Sequence, residues 1–382
     1  MAFHLESQKT LLQHLCHWKT LGIFTLAIST TLLHGENRFI TKDGFTIPKA
    51  HQPLQFPKDH ASHPDFKIEW WYLVGHLKDN ANNRYTYQAT FFRYAEKEAS
   101  QIRQFHLAHM ALLDIEKNKY IQEERLYPDG IHATAKTDKL DLKNGNWRLK
   151  MDEESGELSL SGSIKSEALF NLKLTPLKPL VRFGEEGISR KGASPSSVSY
   201  YLSWTRLKST GTLQIAGKEL RVEGISWMDH EISSKQLDDS LSGWDWTCIQ
   251  LESGIELKAY QLRQKDGTIS PFSQLIWIDR DNNLTYFDST QFSWNVLKTW
   301  TSPKTGGVYP IEISLQVRPP GKKMEQTYHL IPNAEQQEIE GEQGGIDYWE
   351  GSCRVFNPAG KALGNAFLEL TGYAKSLAVT DK

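Results

Sequence analysis

IEWWYLVGHLKDNANNRYTYQATFFRY, residues 68–94, decides the fold. Two runs rich in β-branched and aromatic residues, 68–77 and 84–94, flank the turn DNANN at 79–83. Such residues suit a pleated, half-buried surface, and the Asn-rich turn lets the chain reverse, so the stretch predicts a β-hairpin. Period-2 segments recur at 104–115, 146–151, 157–164, 168–174, 199–207, 213–215 and 219–228. Asp129-Gly130, Asn144-Gly145, Ser155-Gly156 and Ala216-Gly217-Lys218 punctuate them as turns. No long amphipathic helix intervenes, and short helical turns are expected only near 233–239. Strands at this spacing without helices give an all-β chain of sandwich or barrel type.

The opening hairpin recurs. GWDW at 243–246 followed by KAYQLR at 258–263 repeats the plan of EWWY at 69–72 followed by QATFFR at 88–93. Aligning the second strands sets Ala89 on Ala259 and Arg93 on Arg263. A turn four residues shorter in the second copy sets Trp70 and Tyr72 on Trp244 and Trp246. The expected organisation is a first β unit over 56–235 and a second over 236–375, followed by a tail at 376–382.

Composition bounds the function. The chain has 382 residues, long for one domain and comfortable for two. Its 44 Lys+Arg and 46 Asp+Glu give a net charge of −2, which argues against nucleic acid as the main partner. With 12 Trp, 14 Tyr and 16 Phe it calls for an extensive core, a binding cavity, or both. Residues 21–33 (LGIFTLAISTTLL) follow a polar, weakly basic lead, as in an export signal. Residues 1–35 are therefore expected to be a signal peptide or an uncleaved N-terminal anchor, 36–55 a polar lead-in, and the protein periplasmic or secreted. In an oxidising compartment Cys248 and Cys353 are permitted a disulfide, and two separate buried thiols are the plainer expectation.

Several separated motifs, in order, carry a family resemblance: 56–77 (FPKDHASHPDFKIEWWYLVGHL), 87–93 (YQATFFR), 106–114 (HLAHMALLD), 226–234 (SWMDHEISS), GWDW, YWEG at 348–351 and FLELTGY at 367–373. The chain resembles the secreted lipocalin-like proteins that include the AttH proteins and the carotenoid 1,2-hydratases (hydroxyneurosporene synthases). Members of the secreted branch are often catalogued as predicted secreted hydrolases. The resemblance implies two lipocalin-like antiparallel β-barrels in tandem. A barrel of that size holds one small apolar ligand.

Two functions follow as expectations. The first is an exported protein that binds a lipid or isoprenoid-like molecule in a β-barrel cavity, in the service of an envelope transporter. The second is a hydratase-like lyase that adds water to an alkene, which requires a carboxylic acid kept protonated by an apolar cavity. A cavity-free interaction module is the third possibility. Asp229, His230 and Asp245 are the candidate catalytic groups. Strand alternation puts Asp229 on one face with Trp227 and Glu231, with His230 on the other, and turns Trp244 and Trp246 away from Asp245. A strand-end polar cluster is the plain alternative for Asp229 and His230. Trp70, Trp71, Tyr72, Trp227, Trp244, Trp246, Trp349 and Tyr373 are candidate ligand-lining aromatics, with core packing as their alternative. Glu69, Arg93, Arg263, Glu350 and Glu369 are expected in structural ion pairs, because a buried charge needs a partner; Arg93 and Arg263, equivalent in the repeat, would pair with a carboxylate such as Glu69 or Asp245, and a bond to an Arg or to a neighbouring strand is the plain alternative for Asp245. No cofactor or metal is expected: HExxH, paired CxxC, GxSxG, P-loop and dinucleotide motifs are all missing. His60 and His63 beside Asp59 and Asp65 leave a loop metal site open, whereas His106 and His109, three apart on a strand, face opposite ways.

Overall fold

The computed structural model describes residues 39–98, 101–235, 237–341, 343 and 347–374. The expected signal segment at 1–35 and the tail at 376–382 lie outside them. Among the described residues a single 3-10 turn, Lys58–His60, precedes twenty-three strands. The first thirteen are β1 Ile68–Asp79, β2 Arg84–Glu98, β3 Gln101–Asp114, β4 Lys119–Pro128, β5 Ala133–Ala135, β6 Asp141–Asn144, β7 Trp147–Met151, β8 Leu158–Ile164, β9 Ala168–Pro176, β10 Val181–Phe183, β11 Ser189–Arg190, β12 Val198–Ile215 and β13 Lys218–Ser233. The rest are β14 Leu241–Leu251, β15 Glu256–Gln264, β16 Gln274–Ile278, β17 Leu284–Asp288, β18 Phe292–Thr301, β19 Val308–Val317, β20 Gln326–Pro332, β21 Glu338–Ile339, β22 Tyr348–Phe356 and β23 Ala362–Thr371.

Strands β1–β13 make one antiparallel sheet in the order β4-β3-β2-β1-β13-β12-β9-β8-β7-β6-β5. It curls until β4 meets β8, where Arg125 donates to the Ser163 carbonyl, so the sheet nearly closes into a barrel. Strands β14–β23 make the second, in the order β17-β16-β15-β14-β23-β22-β20-β19-β18. This one stays a half-barrel. The tandem all-β architecture expected from the sequence is therefore present. The two segments expected at 199–207 and 213–215 are one strand, β12, bent by a register shift between Trp204 and Leu207. No helix forms among the described residues of 233–239; β13 runs to Ser233 and turns follow.

The packing explains why the opening hairpins read as nearly continuous apolar runs. In β1, Trp71 and Leu73 point into the first barrel with Tyr87, Phe91, Trp147 and Phe170. Their neighbours Trp70, Tyr72 and Val74 point out of it, into a third cluster with Tyr201, Trp227, Trp246, Tyr260, Ile276 and Phe367. That cluster takes residues from both sheets, so the two units pack back to back. A strand buried on both faces loses the polar half of its alternation. The second unit has its own core around Trp277, Tyr309, Ile313, Leu330 and Trp349.

The repeat is real in register. Trp70 pairs with Phe92 and Tyr72 with Thr90, while Trp244 pairs with Leu262 and Trp246 with Tyr260. The second hairpin thus has the shorter turn that the alignment required. Cys248 and Cys353 are buried free thiols, the plainer of the two expectations.

Candidate functional site

A cavity of about 580 Å³ lies between the two units. The interior of the first barrel is filled by the side-chain cluster described above, which corrects the expectation of a cavity there. A second hollow of about 540 Å³ opens at the mouth of the half-barrel, beside Trp277, Tyr328 and Leu363.

Alternate residues of facing strands build the wall of the inter-unit cavity. They are Trp70 and Tyr72 from β1, Thr90 and Phe92 from β2, Asp229 and Glu231 from β13, and Trp244 and Trp246 from β14. Tyr348 and Glu350 from β22, Glu369 from β23, and His109 and Tyr201 complete it. The spacing of two is the pleat period, and each intervening residue turns elsewhere. Tyr72 and Trp246, equivalent in the repeat, meet edge to face with ring centroids 5.3 Å apart.

Besides the exposed Glu96 at its rim, four carboxyl groups enter this aromatic space, and their surroundings differ. Asp229 accepts hydrogen bonds from Tyr201 Oη at 2.5 Å, Trp227 Nε1 at 2.6 Å and Ser203 Oγ. Burial lifts its pKa to about 6, against the pull of the Lys258 ammonium and these donors. Lys258 itself is fully buried, its Nζ 3.2 Å from the Tyr201 ring centroid and 3.8 Å from that of Phe183. Burial, with Lys191 nearby, pushes the Lys258 amine well down. Glu231 accepts from Ser199 Oγ at 2.5 Å and lies 3.6 Å from Lys191 Nζ.

Glu350 and Glu369 are directly opposed across β22 and β23. Directly opposed side chains share one face of the sheet at close range. Glu350 accepts from Tyr72 Oη at 2.7 Å, and its other oxygen is buried with no hydrogen-bond partner among the described residues. Glu369 accepts from Trp244 Nε1 at 2.7 Å. Burial first, then the opposing carboxyl, holds Glu350 well above the usual carboxylate range. Glu369 is pushed up to about 7, again chiefly by burial. The expectation that these two sit in ion pairs is therefore corrected. Among the described residues neither meets a cation, and two like charges this close in an apolar wall resolve the conflict by staying protonated.

Other expectations fall outside the cavity. Glu69 and Arg93 are an ion pair at 3.1 Å, both completely buried, and Arg93 also donates to the Phe66 carbonyl at 2.8 Å. His230 belongs to that cluster, not to the cavity: its Nε2 lies 2.8 Å from Glu69 Oε1 and its ring stacks on Trp71. Asp245 pairs with Arg263 at 3.2 Å and accepts from Tyr373 Oη at 2.9 Å, behind the wall that Trp244 and Trp246 face. His230 and Asp245 are thus corrected from catalytic to structural positions. Trp71 and Trp349 are corrected to barrel core, Trp227 to a support of Asp229, and Tyr373 to a cover over the Arg263 guanidinium, 3.7 Å away. Of the proposed aromatics, Trp70, Tyr72, Trp244 and Trp246 line the cavity.

His63, Glu69 and His230 each bring one potential ligand atom within 4.8 Å of the others. Their geometry is that of a closed hydrogen-bond network, since His63 Nδ1 and His230 Nε2 both lie 2.8 Å from Glu69 Oε1 while Arg93 holds Oε2. Sequence reasoning missed Tyr201, His109, Tyr348 and Lys258. The period-2 rule applied to YWEG would have found Tyr348, which must share the face of Glu350.

The family profile described as AttH-like matches residues 47–373. The crystal structure of a candidate AttH protein from Nitrosomonas europaea superposes with a TM-score of 0.75 at 31% identity, covering 84% of this chain and 98% of its own. Kievitone hydratase from Nectria haematococca superposes with a TM-score of 0.65 at 15% identity, covering 88% of this chain and 98% of its own, and so shares the fold. No curated protein matches the sequence. With the profile spanning nearly all of both barrels and the motifs that build the cavity between them, this chain belongs to the AttH-like family.

Proposed function

We propose that the protein adds water to a carbon–carbon double bond of an apolar, isoprenoid- or lipid-like molecule held between its two barrels. The observation that carries this reading is the Glu350–Glu369 pair, two carboxyl groups without a cation in an aromatic cavity. A carrier of apolar molecules needs no such pair, because buried carboxyls are costly and add nothing to the capture of a hydrocarbon. A carbon acid–base enzyme needs it. Protonating an alkene takes an acid that still holds its proton near neutral pH and stands away from water.

The residues divide the work by environment. Glu350, with one oxygen held by Tyr72 and the other unbonded, is placed to give its proton to carbon. Glu369 keeps Glu350 protonated by proximity. The cation so formed faces Trp70, Trp244 and Trp246, whose rings attract positive charge, with the Asp229 carboxylate near by. Asp229, which accepts from three donors, is raised less than Glu350 or Glu369 and so gives up its proton more readily than either. Environments that drive neighbouring carboxyls apart are the usual mark of an acid and a counter-charge. That another protein of this fold bears the name hydratase accords with the reading. Export under the direction of residues 21–33 would place this chemistry in the envelope.

Farnesol, a flexible isoprenoid with three trisubstituted double bonds, is a suitable probe. Incubated with the protein in H₂¹⁸O, it should give a product heavier by one labelled water, and Glu350→Gln should lower the rate by about 10²–10⁴. If wild type binds farnesol, seen as quenching of the cavity tryptophans, and returns it unchanged, the enzyme reading fails and the carrier reading takes its place.

A further inference from the structure

Hydration also needs a group that takes a proton from the attacking water. Tyr348 sits two residues from Glu350 on β22, so both side chains line the cavity. At the strand rise, their Cα atoms are about 6.5–7 Å apart, room for an alkene and a water between acid and base. The Tyr348 hydroxyl is 2.8 Å from His109 Nδ1, and His109 Nε2 is 2.8 Å from Glu124 Oε2. Tyr348 is 5% exposed, His109 1%, and the Glu124 side chain 4%. The chain of contacts joins β22 of the second unit to β3 and β4 of the first, and only its tyrosine end and the His109 ring reach the cavity.

We propose that Glu124, His109 and Tyr348 form a proton relay that makes the Tyr348 oxygen the base toward water in the cavity. The inference rests on the hydratase reading and adds to it the second half of the reaction. The carboxylate of Glu124 takes the Nε2 proton of His109 as its hydrogen-bond donor, which fixes the tautomer. Nδ1 is then bare and accepts from Tyr348, whose lone pairs are left for the cavity. The step balances. Glu350 gives its proton to one alkene carbon, and the π electron pair becomes the C–H bond. Water forms the C–O bond at the other carbon and passes a proton to Tyr348 Oη. Tyr348 passes its own proton to His109 Nδ1, and the imidazolium stands beside Glu124. The proton returns through Tyr348 and cavity water to Glu350, with no oxidant or further reactant. Tyr348 is the catalytic residue here, and His109 and Glu124 position it. A lone buried phenol is a poor base, since burial and the neighbouring carboxyls push its ionisation up. The relay avoids a free tyrosinate by moving both protons together.

Two measurements test this. In protein labelled with ¹⁵N-histidine, with the His109 signals assigned by their loss in His109→Gln, Nε2 should be protonated and Nδ1 bare, because protonated and unprotonated imidazole nitrogens resonate far apart. A protonated Nδ1 overturns the relay whatever the activity, since Tyr348 would then be accepting from His109. In the farnesol assay, Tyr348→Phe should lose about 10²-fold or more in turnover. Glu124→Gln, which keeps an acceptor but not the charge, should lose at least tenfold. Both should keep farnesol binding within about twofold of wild type by tryptophan quenching, a difference of about 0.4 kcal/mol. Unchanged turnover in Tyr348→Phe also overturns the proposal. If wild type itself does not hydrate farnesol, it is the hydratase reading that has failed. That outcome is distinct, because failure of the relay alone leaves wild-type turnover intact.

Discussion

Replacing Glu369 with Gln should make the protein more stable, and only at high pH. Glu369 stands opposite Glu350 and accepts from Trp244 Nε1, a bond that the Gln carbonyl oxygen can keep. Folding raises its pKa from 4.5 to about 7. A group whose pKa is higher in the folded state binds more protons folded than unfolded between the two values. Its favourable share of stability is present below about pH 4.5 and is lost as pH climbs through 7. At about 1.4 kcal/mol per pH decade, the full loss by pH 8.5 is about 3 kcal/mol. The Glu369 side chain borders the cavity and is partly exposed, so water there tempers the cost, and about 2 kcal/mol is the expected figure. Glu350 titrates with it, so the loss belongs to the pair. Urea unfolding of wild type and Glu369→Gln at pH 4.5 and pH 8.5, followed by tryptophan fluorescence, measures it. The two proteins should agree within about 0.5 kcal/mol at pH 4.5, and the variant should be ahead by about 2 kcal/mol at pH 8.5. A variant no more stable than wild type at pH 8.5 would refute the reasoning. It would mean that Glu369 ionises in the folded protein at little cost, and the case for protonated carboxyls in the cavity would go with it.

Three other expectations follow from the same geometry. Arg93→Ala strands Glu69 as a buried charge beside two imidazoles, and should cost about 3–5 kcal/mol in urea unfolding; a midpoint near that of wild type would show that the pair is not what holds the His63 loop. Asp245→Asn weakens the contacts with Arg263 and Tyr373 and should cost about 1–2 kcal/mol, while farnesol turnover stays within about twofold; a tenfold loss of turnover would place Asp245 in the chemistry after all. Gly351→Ala would put a Cβ 1.9 Å from the Trp349 ring, which is fully buried in the second core, so thermal unfolding should show a loss of about 1–3 kcal/mol or more; an unchanged melting temperature would contradict the packing around Trp349.

The fold was legible because its evidence is local. Alternation, turn residues and the repeated hairpin each occupy a few consecutive positions, and the strands β1, β2, β7, β8 and β9 lie within a few residues of where those signals put them. Which face of a strand met the site was legible too: Asp229 with Glu231, and Trp244 with Trp246, share the cavity as the pleat requires. The partner across the gap was not legible. Glu350 and Glu369 read as charges that must be paired, because a buried carboxylate usually is, and no local pattern says that the group opposite each is the other carboxyl. His230 erred for the same reason, whereas the repeat itself offered Arg263 as the partner of Asp245. The Glu69 carboxylate and its Arg93 partner become neighbours of His230 only through strand register. The site between the units also has no signature in either unit alone, since it takes residues from nine strands of both sheets.

The repeat also explains where the site arose and why its two sides differ. One hairpin type, apolar on both faces, cannot be soluble by itself, and two copies back to back bury the outward faces against each other. The equivalent residues Trp70, Tyr72, Trp244 and Trp246 then surround the space left between the copies. The copies diverge in their charges. In the first, Arg93 is matched by Glu69 on the adjacent strand; in the second, Gly243 holds that place and Arg263 turns to Asp245. Both pairings draw the arginines away from the cavity. Lys258 and Lys191 serve Asp229 and Glu231, and neither Glu350 nor Glu369 has a cation in contact among the described residues. A wall whose carboxyls have basic neighbours therefore faces, across an aromatic gap, one whose carboxyls touch none among the described residues. An alkene protonated from the second wall would develop its positive charge toward the first, which is the polarity that the addition of water requires.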